Sequence, residues 1–262
     1  MNAAGMLGFA PDFRGFREAL PKHREGGENL ADLELGAFVT NPLSLRPRLP
    51  AAKPEVIEYP GGFLLHTGLP NPGFNTAIKK YSSRWDKSDL PVIVHLMADR
   101  PEETQHMVQM LEMQENVMAV ELGFAPLLAD DILLLTLEMS FGELPLIFSL
   151  SVEQVLSLGP RLIQEGAQAI SISAPRGALP RVDYASAKDN GKLITGRLYG
   201  PSLFPRALET VYSAAKAGLP IIGAGGVWSK ENAEAMLSAG ALAVQIDAAL
   251  WNPNFTFAAL TP

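Results

Sequence analysis

No cysteine occurs among the 262 residues. That excludes disulfides, thiolate-held zinc or iron–sulfur centres, and any cysteine nucleophile or base. Positive charge is also in deficit: 21 Lys and Arg stand against 28 Asp and Glu, a formal net charge of -7. A phosphate backbone needs a basic footprint, so no nucleic-acid partner is expected, although RPRLPAAK (46–53) forms a local basic patch. Aromatic residues are scattered, without the basic interleaving of a single-strand groove. Long hydrophobic runs are missing too. The longest lies in DDILLLTLEMSF (130–141), short of the roughly 18 residues that span a bilayer and flanked by acids, so no membrane partner is expected. The stretch MNAAGMLGFAPDFRG has neither the basic start nor the apolar core of a secretory signal. The expectation is a cytoplasmic protein.

What is present is an alternation of short apolar runs with helical runs. Candidate strands are GMLGFA (5–10), GAFVTN (36–41), PVIVHL (91–96), MAVELGF (118–124), PLIFSL (145–150), AISISA (169–174), PIIGAG (220–225) and AVQIDA (243–248). The later ones are apolar nearly throughout, as strands covered on both faces of a parallel sheet are. Between them, Ser151 and Gln154 stand at capping-box spacing, and Ser229 precedes a helix with acids in its first turn, apolar Ala233, Met236 and Leu237, and Gly240 as its stop. Leu208, Val211, Tyr212 and Ala215 predict the buried face of another helix, and Pro160 a kink or restart. Eight strand–helix units without a linker or composition break predict one domain, 1–262, folded as a single α/β (β/α)8 barrel. Two long interruptions, 53–73 and 175–201, are expected to cover the barrel face formed by loops after strands.

These stretches resemble the dihydroorotate dehydrogenase family, the FMN-dependent barrels of pyrimidine biosynthesis. GAFVTNPLSLRPR resembles the family's second strand and loop, and PGGFLLHTGLPNPG its substrate loop. GRLYGPSLFPRALETVYSAA and LPIIGAGGVWSKENAEAMLSAGALAVQI resemble its phosphate-binding end. The resemblance implies an oxidoreductase with FMN in the barrel mouth, its phosphate near Gly200, Gly225, Gly226 and Ala248, and substrate near Asn41 and Asn71. A glycine-rich turn before a helix offers N–H donors to such an anion. The same glycines also suit close packing of helix on strand.

Several positions depart from the family pattern. Asn41 and Ser149 stand where the family has lysines, Gly123 and Ala174 where it has asparagines, and Leu65 where the substrate loop begins with asparagine. Asp247-Ala248 replaces a Gly-Thr pair, and Phe9 stands where the family has a small residue. The loop that carries the family's base is shortened. Dihydroorotate is therefore expected not to be oxidised at a meaningful rate.

Other polar residues at predicted strand ends are His95, Glu121, Ser149 and Asp247, with His66 on the loop. His95 and Glu121 are the catalytic candidates, either as an acid/base pair or, with Asp247, as ligands of a hydrolytic metal; equally, they satisfy one another inside the barrel. Ser171 and Ser173 read as strand-edge or helix-facing residues, and Arg176 and Arg181 as a loop able to close over an anion. His23 and His106 are expected to face solvent. Besides the flavin oxidoreductase, a flavin-free, catalytically degenerate barrel that binds another small anionic or phosphorylated ligand, or acts as a structural partner, remains open. So do a homo-oligomer and the nature of any substrate.

Overall fold

In a strand, residues i and i+2 share a face, so an inward apolar residue followed two places on by a polar one stacks two layers inside a curved sheet. This pattern organises the computed structural model, which describes residues 1–12, 35–51, 53, 55–181 and 192–251. In chain order the strands are β1 (Phe38–Val39), β2 (Glu55–Tyr59), β3 (Gly62–His66), β4 (Val92–Met97), β5 (Val117–Gly123), β6 (Leu146–Leu150), β7 (Ala169–Ile172), β8 (Arg176–Pro180), β9 (Leu193–Tyr199), β10 (Ile221–Ala224) and β11 (Ala243–Gln245). The helices are α1 (Phe74–Asp86), α2 (Pro101–Leu111), α3 (Asp130–Ser140), α4 (Val152–Ser157), α5 (Gly159–Gln164), α6 (Phe204–Lys216) and α7 (Lys230–Ser238). Single 3-10 turns cover Pro201–Leu203 and Ala248–Trp251.

Seven strands form one sheet in the order β1-β4-β5-β6-β7-β10-β11, every pairing parallel. Val39, Ile93, Ala119, Ile147, Ala169 and Ile222, one from each of six strands, meet in a single buried cluster with Met1, Ala4 and Ala243 against it. Strands far apart in the sheet order touch one cluster only if the sheet curves around it. The second, larger core lies on the other face, beneath the helices.

The predicted strand at 5–10 is absent. Gly5 and Gly8 adopt φ of 90° and 97°, and this segment is turns. Asn2 instead makes the parallel bridge, to Ile246, while its side chain donates to the Val39 carbonyl at 2.7 Å and accepts from the Val39 N–H at 3.0 Å. One asparagine thus links the end of the β11 segment to β1. The other seven predicted strands are found, the last ending at Gln245 rather than running to 248.

The helices form where apolar residues recur at three- and four-residue spacing. Phe74, Ala77, Tyr81 and Trp85 are the buried stripe of α1. Phe9 stacks on Tyr81 with ring centroids 5.4 Å apart, so it packs on this helix rather than into the mouth. In α6 the buried residues are Ala207, Thr210, Val211 and Ala214, with Tyr212 57% exposed, so the buried face is rotated from the predicted one. In α7, Met236 is buried and Leu237 is exposed. Pro160 sits in the first turn of α5, restarting the helix after α4. Ser229 caps α7, accepting from the Asn232 N–H at 3.3 Å, whereas Ser151 makes no side-chain cap bond. None of the described helices is long and apolar enough to cross a membrane.

The two insertions, one contributing β2 and β3 and the other β8 and β9, join in one antiparallel sheet of order β2-β3-β9-β8. Phe63 and Tyr199 from this sheet pack their rings against each other and against Trp251, with centroids 5.7 to 6.4 Å apart.

Candidate functional site

Above the apolar layer the same strands turn polar two residues later: Ile93 is followed by His95, Ala119 by Glu121, Ala169 by Ser171 and Ala243 by Gln245. The β4–β5 register places His95 directly beside Glu121. The Glu121 carboxylate is 1% exposed and fully partnered: Oε2 lies 2.7 Å from His95 Nδ1, and Oε1 accepts from Ser171 Oγ at 2.6 Å and Gln245 Nε2 at 2.8 Å. Burial pushes this carboxyl up, but the hydrogen bond and charge of His95, with the bonds from Ser171 and Gln245, outweigh it and hold it below its ordinary value. An ionised carboxylate only accepts, so Nδ1 carries the proton and donates. Nε2 is then the free position of the ring. The hydrogen bond of the ring among the described residues runs through Nδ1, and His95 borders the cavity above. Gly123 lies against the imidazole; a Cβ there would collide with Nε2.

The cavity measures about 510 Å³ and opens at the ends of the strands. Arg48, Arg176 and Arg197 line it, with Asn41, Ser149, Leu65, Ala174, Tyr199 and Trp251. Arg176 and Arg197 are direct partners across β8 and β9. Like charges directly opposite in an antiparallel pair repel. Arg197 donates to the Ala174 carbonyl at 2.8 Å, but neither arginine has an ion pair among the described residues. Asp99, also on the wall, accepts from the Ala125 N–H at 2.7 Å.

Asp247, which follows β11, lines the same cavity and is 4% exposed. Burial pushes its carboxyl up to about 6, against a smaller opposing pull from the backbone N–H groups of Gly226, Ala248 and Ala249. Oδ1 is buried without a hydrogen-bond partner among the described residues. Burial also pushes the nearby Tyr199 hydroxyl to about 12, with Arg197 opposing and Asp247 reinforcing the shift.

The glycines expected around a phosphate have neighbours of their own. Gly226 has φ 69°, and a Cβ there would strike the Phe204 backbone at the start of α6. Gly200 has φ 136° and lies against Gly61 and Gly62 in the β2–β3 turn. Gly225 borders the cavity, and Ala248 is buried at the start of its 3-10 turn. Asn41 Oδ1 accepts from the Gly8 N–H at 3.1 Å. Asn71 is buried and does not line the cavity; it spends its side chain on Ser44, Leu69 and Gly73. His106 is exposed on α2, and His23 falls outside the described residues.

The structure therefore brings His95 and Glu121 together but not with Asp247 as a metal triad: among the described residues, no three His, Asp or Glu side chains are placed to hold a metal ion. Ser171 faces inward, not to a strand edge or a helix. Ser171 and Gln245 complete the floor although neither stood out as titratable. Their signal was positional, two residues beyond an inward alanine on β7 and β11.

A sequence model of dihydroorotate dehydrogenase matches residues 162–260. The catalytic subunit of dihydroorotate dehydrogenase B (NAD(+)) from Pelobacter propionicus is 30% identical over 265 aligned positions, covering 95% of this chain and 82% of that protein. Its counterpart from Geotalea daltonii is 29% identical with the same coverage, and that from a Geobacillus species 28% identical, covering 80% of the relative. The similarity extends over nearly the whole chain, and on this evidence the chain belongs to the dihydroorotate dehydrogenase family.

Proposed function

We propose that this family member binds a small, cyclic, non-phosphorylated anion in the mouth of a closed (β/α)8 barrel, and that His95 transfers a proton on it. The observation that carries the reading is the juxtaposition of two arginines in direct register on the cavity wall with a His–Glu pair at its floor. An anion between Arg176 and Arg197 relieves their repulsion. Glu121 fixes the orientation of the ring through Nδ1, leaving Nε2 toward the cavity as the atom that takes up or gives the proton. Asn2, bridging to Ile246 and holding Val39, supports closure of the barrel.

FMN, which the family implies, fits these residues poorly. The buried Asp247 carboxylate lines the cavity together with Gly225, at the end where the FMN phosphate would sit, and its Oδ1 is unpartnered among the described residues. Two unit charges 4 Å apart repel by about 4 kcal/mol at an effective dielectric constant near 20, and a phosphate carries close to two charges. Asn41 and Ser149 supply no cation at the floor. No step is routed through a flavin here. The second reading, an FMN oxidoreductase like the relatives, is favoured by a match over 95% of the chain.

Absorbance and mass spectrometry of the purified protein, with orotate titrations, separate the two. The proposal expects no flavin bands, no orotate formed from dihydroorotate even with added FMN, and orotate binding that Arg197→Ala weakens at least about tenfold. Co-purified FMN that dihydroorotate reduces overturns it.

A further inference from the structure

We propose that Asp247 determines the specificity of the mouth: its buried carboxylate stands beside the Gly225–Gly226 turn, and it excludes phosphorylated ligands from that end of the cavity. Backbone N–H groups at a glycine turn form an anion-binding concavity. Here the Ala224–Gln245 register pair brings the segments of Gly226 and Asp247 side by side, and Asp247 lines the same cavity as Gly225. Asp247 leads directly into the Ala248–Trp251 turn, so ligand entry cannot displace its carboxylate without rebuilding that turn. Its Oδ1 is buried and unpartnered among the described residues. A carboxylate spreads its charge over two oxygens, and here one of them has no donor. Trp251, on the same 3-10 turn, donates from Nε1 to the Met6 carbonyl at 2.9 Å and packs on Phe63 and Tyr199, which fixes the turn in place.

Other charged or titratable groups around Asp247 do not compensate its charge. Tyr199 on β9 is held protonated, and Arg197 lies on the wall that also bears Arg176. Glu121, on the floor, is itself an anion. The packing of Gly226 on Phe204 gives that glycine a reason independent of any ligand, so the glycine-rich turn remains while the anion has become internal. The mouth is thus divided: arginines and His95 receive an external anion, and Asp247 fills the place of a second one.

This inference rests on the reading of the mouth as an anion site, but its test is separate. Riboflavin and FMN share a ring system and differ in the phosphate, so the ratio of their affinities isolates the phosphate end of the cavity. Calorimetry at pH 7.5 with riboflavin, FMN and inorganic phosphate would compare the intact chain with Asp247→Asn and Asp247→Gly; two variants are used in case one does not fold. The intact chain is expected to bind FMN no more tightly than riboflavin and to ignore inorganic phosphate. In a folded variant the FMN-to-riboflavin preference should rise tenfold or more, or phosphate binding should appear. A tenfold preference for FMN in the intact chain overturns the proposal, as does a folded variant that gains neither. Failure of orotate to bind, by contrast, removes the anion reading of the arginine wall and leaves the FMN-to-riboflavin ratio as a measure of Asp247 alone.

Discussion

Glu121 and Asp247 are both carboxylates buried inside the same sheet, and their surroundings send them in opposite directions. Glu121 receives hydrogen bonds from three side chains on three different strands and is held below its ordinary pKa despite complete burial. Asp247 receives no side-chain hydrogen bond among the described residues, keeps one oxygen buried and unpartnered, and is pushed up to about 6. Burial acts on both; what differs is whether donors were placed to answer it. The floor is a finished polar network, whereas the Asp247 end is an unfinished one that carries a cost. Unfinished polar groups in a cavity wall mark the places where a fold has been bent toward selectivity.

The sharpest way to break this comparison is to remove the floor carboxylate. Glu121→Ala leaves His95, Ser171 and Gln245 without their common acceptor in a buried site. Breaking a buried charged network by deleting one partner costs about 3–5 kcal/mol. Urea denaturation at pH 7 is expected to show a loss of that size. A loss below 1 kcal/mol would mean that water replaces the carboxylate and that the floor is not dry. The pH dependence has a definite sign. The folded-state pKa lies below the unfolded value of 4.5, so the Glu121 contribution is complete above that pH and is lost as pH falls through the depressed folded value.

Asp247 should behave in the opposite sense. Its folded pKa of about 6 stands above the unfolded value of 3.8, so the folded state prefers the protonated acid. Stability linked to this group is fully present below the unfolded pKa and is lost as pH rises through the folded one. A shift of about two units corresponds to roughly 3 kcal/mol. Asp247→Asn, which keeps the shape and removes the charge, is expected to stabilise the protein by up to that amount at pH 8 and by progressively less as pH falls to 4. Equal effects at both pH values would place the carboxylate in contact with water.

Much of this contrast was legible in the chain. Seven of the parallel strands follow from apolar runs, and His95 and Glu121 stood out because they are titratable residues at the ends of such runs. Ser171 and Gln245 did not, since a neutral polar residue in a strand reads equally as an edge position; only the alternation Ala169–Ser171 and Ala243–Gln245, set beside Ala119–Glu121, reveals a common layer. The strand expected at 5–10 failed because its apolar content concealed two glycines in left-handed conformations, and pairing moved to Asn2. Asp247 was visible as a charge near a glycine turn, but sequence cannot say that its carboxylate is buried with one oxygen unpartnered. That depends on the 3-10 turn at Ala248–Trp251, which the aromatic packing of Trp251 secures. The opposed arginines were equally hidden. Arg176 belonged to a polar loop until the two insertions joined as neighbouring strands.

The smallest expected effect tests that last pairing. Arg176 and Arg197 face one another across β8 and β9 and line the cavity together. Cross-strand pairs of this kind are worth roughly 0.2–1 kcal/mol, and for like charges the sign is unfavourable. Arg176→Gln removes one charge while keeping a long polar side chain, so in protein free of ligand it should raise stability by a few tenths of a kcal/mol at low ionic strength. The gain should shrink in 1 M salt, where the screening length falls to about 3 Å. With saturating orotate the sign should reverse, because the variant gives up part of the cationic wall that holds the anion and binds it less tightly. Thermal unfolding of both proteins, with and without orotate and at two salt concentrations, gives the four comparisons needed. If Arg176→Gln destabilises the ligand-free protein and leaves orotate stabilisation unchanged, the two guanidinium groups splay away from each other and the arginine wall does not act as one anion site.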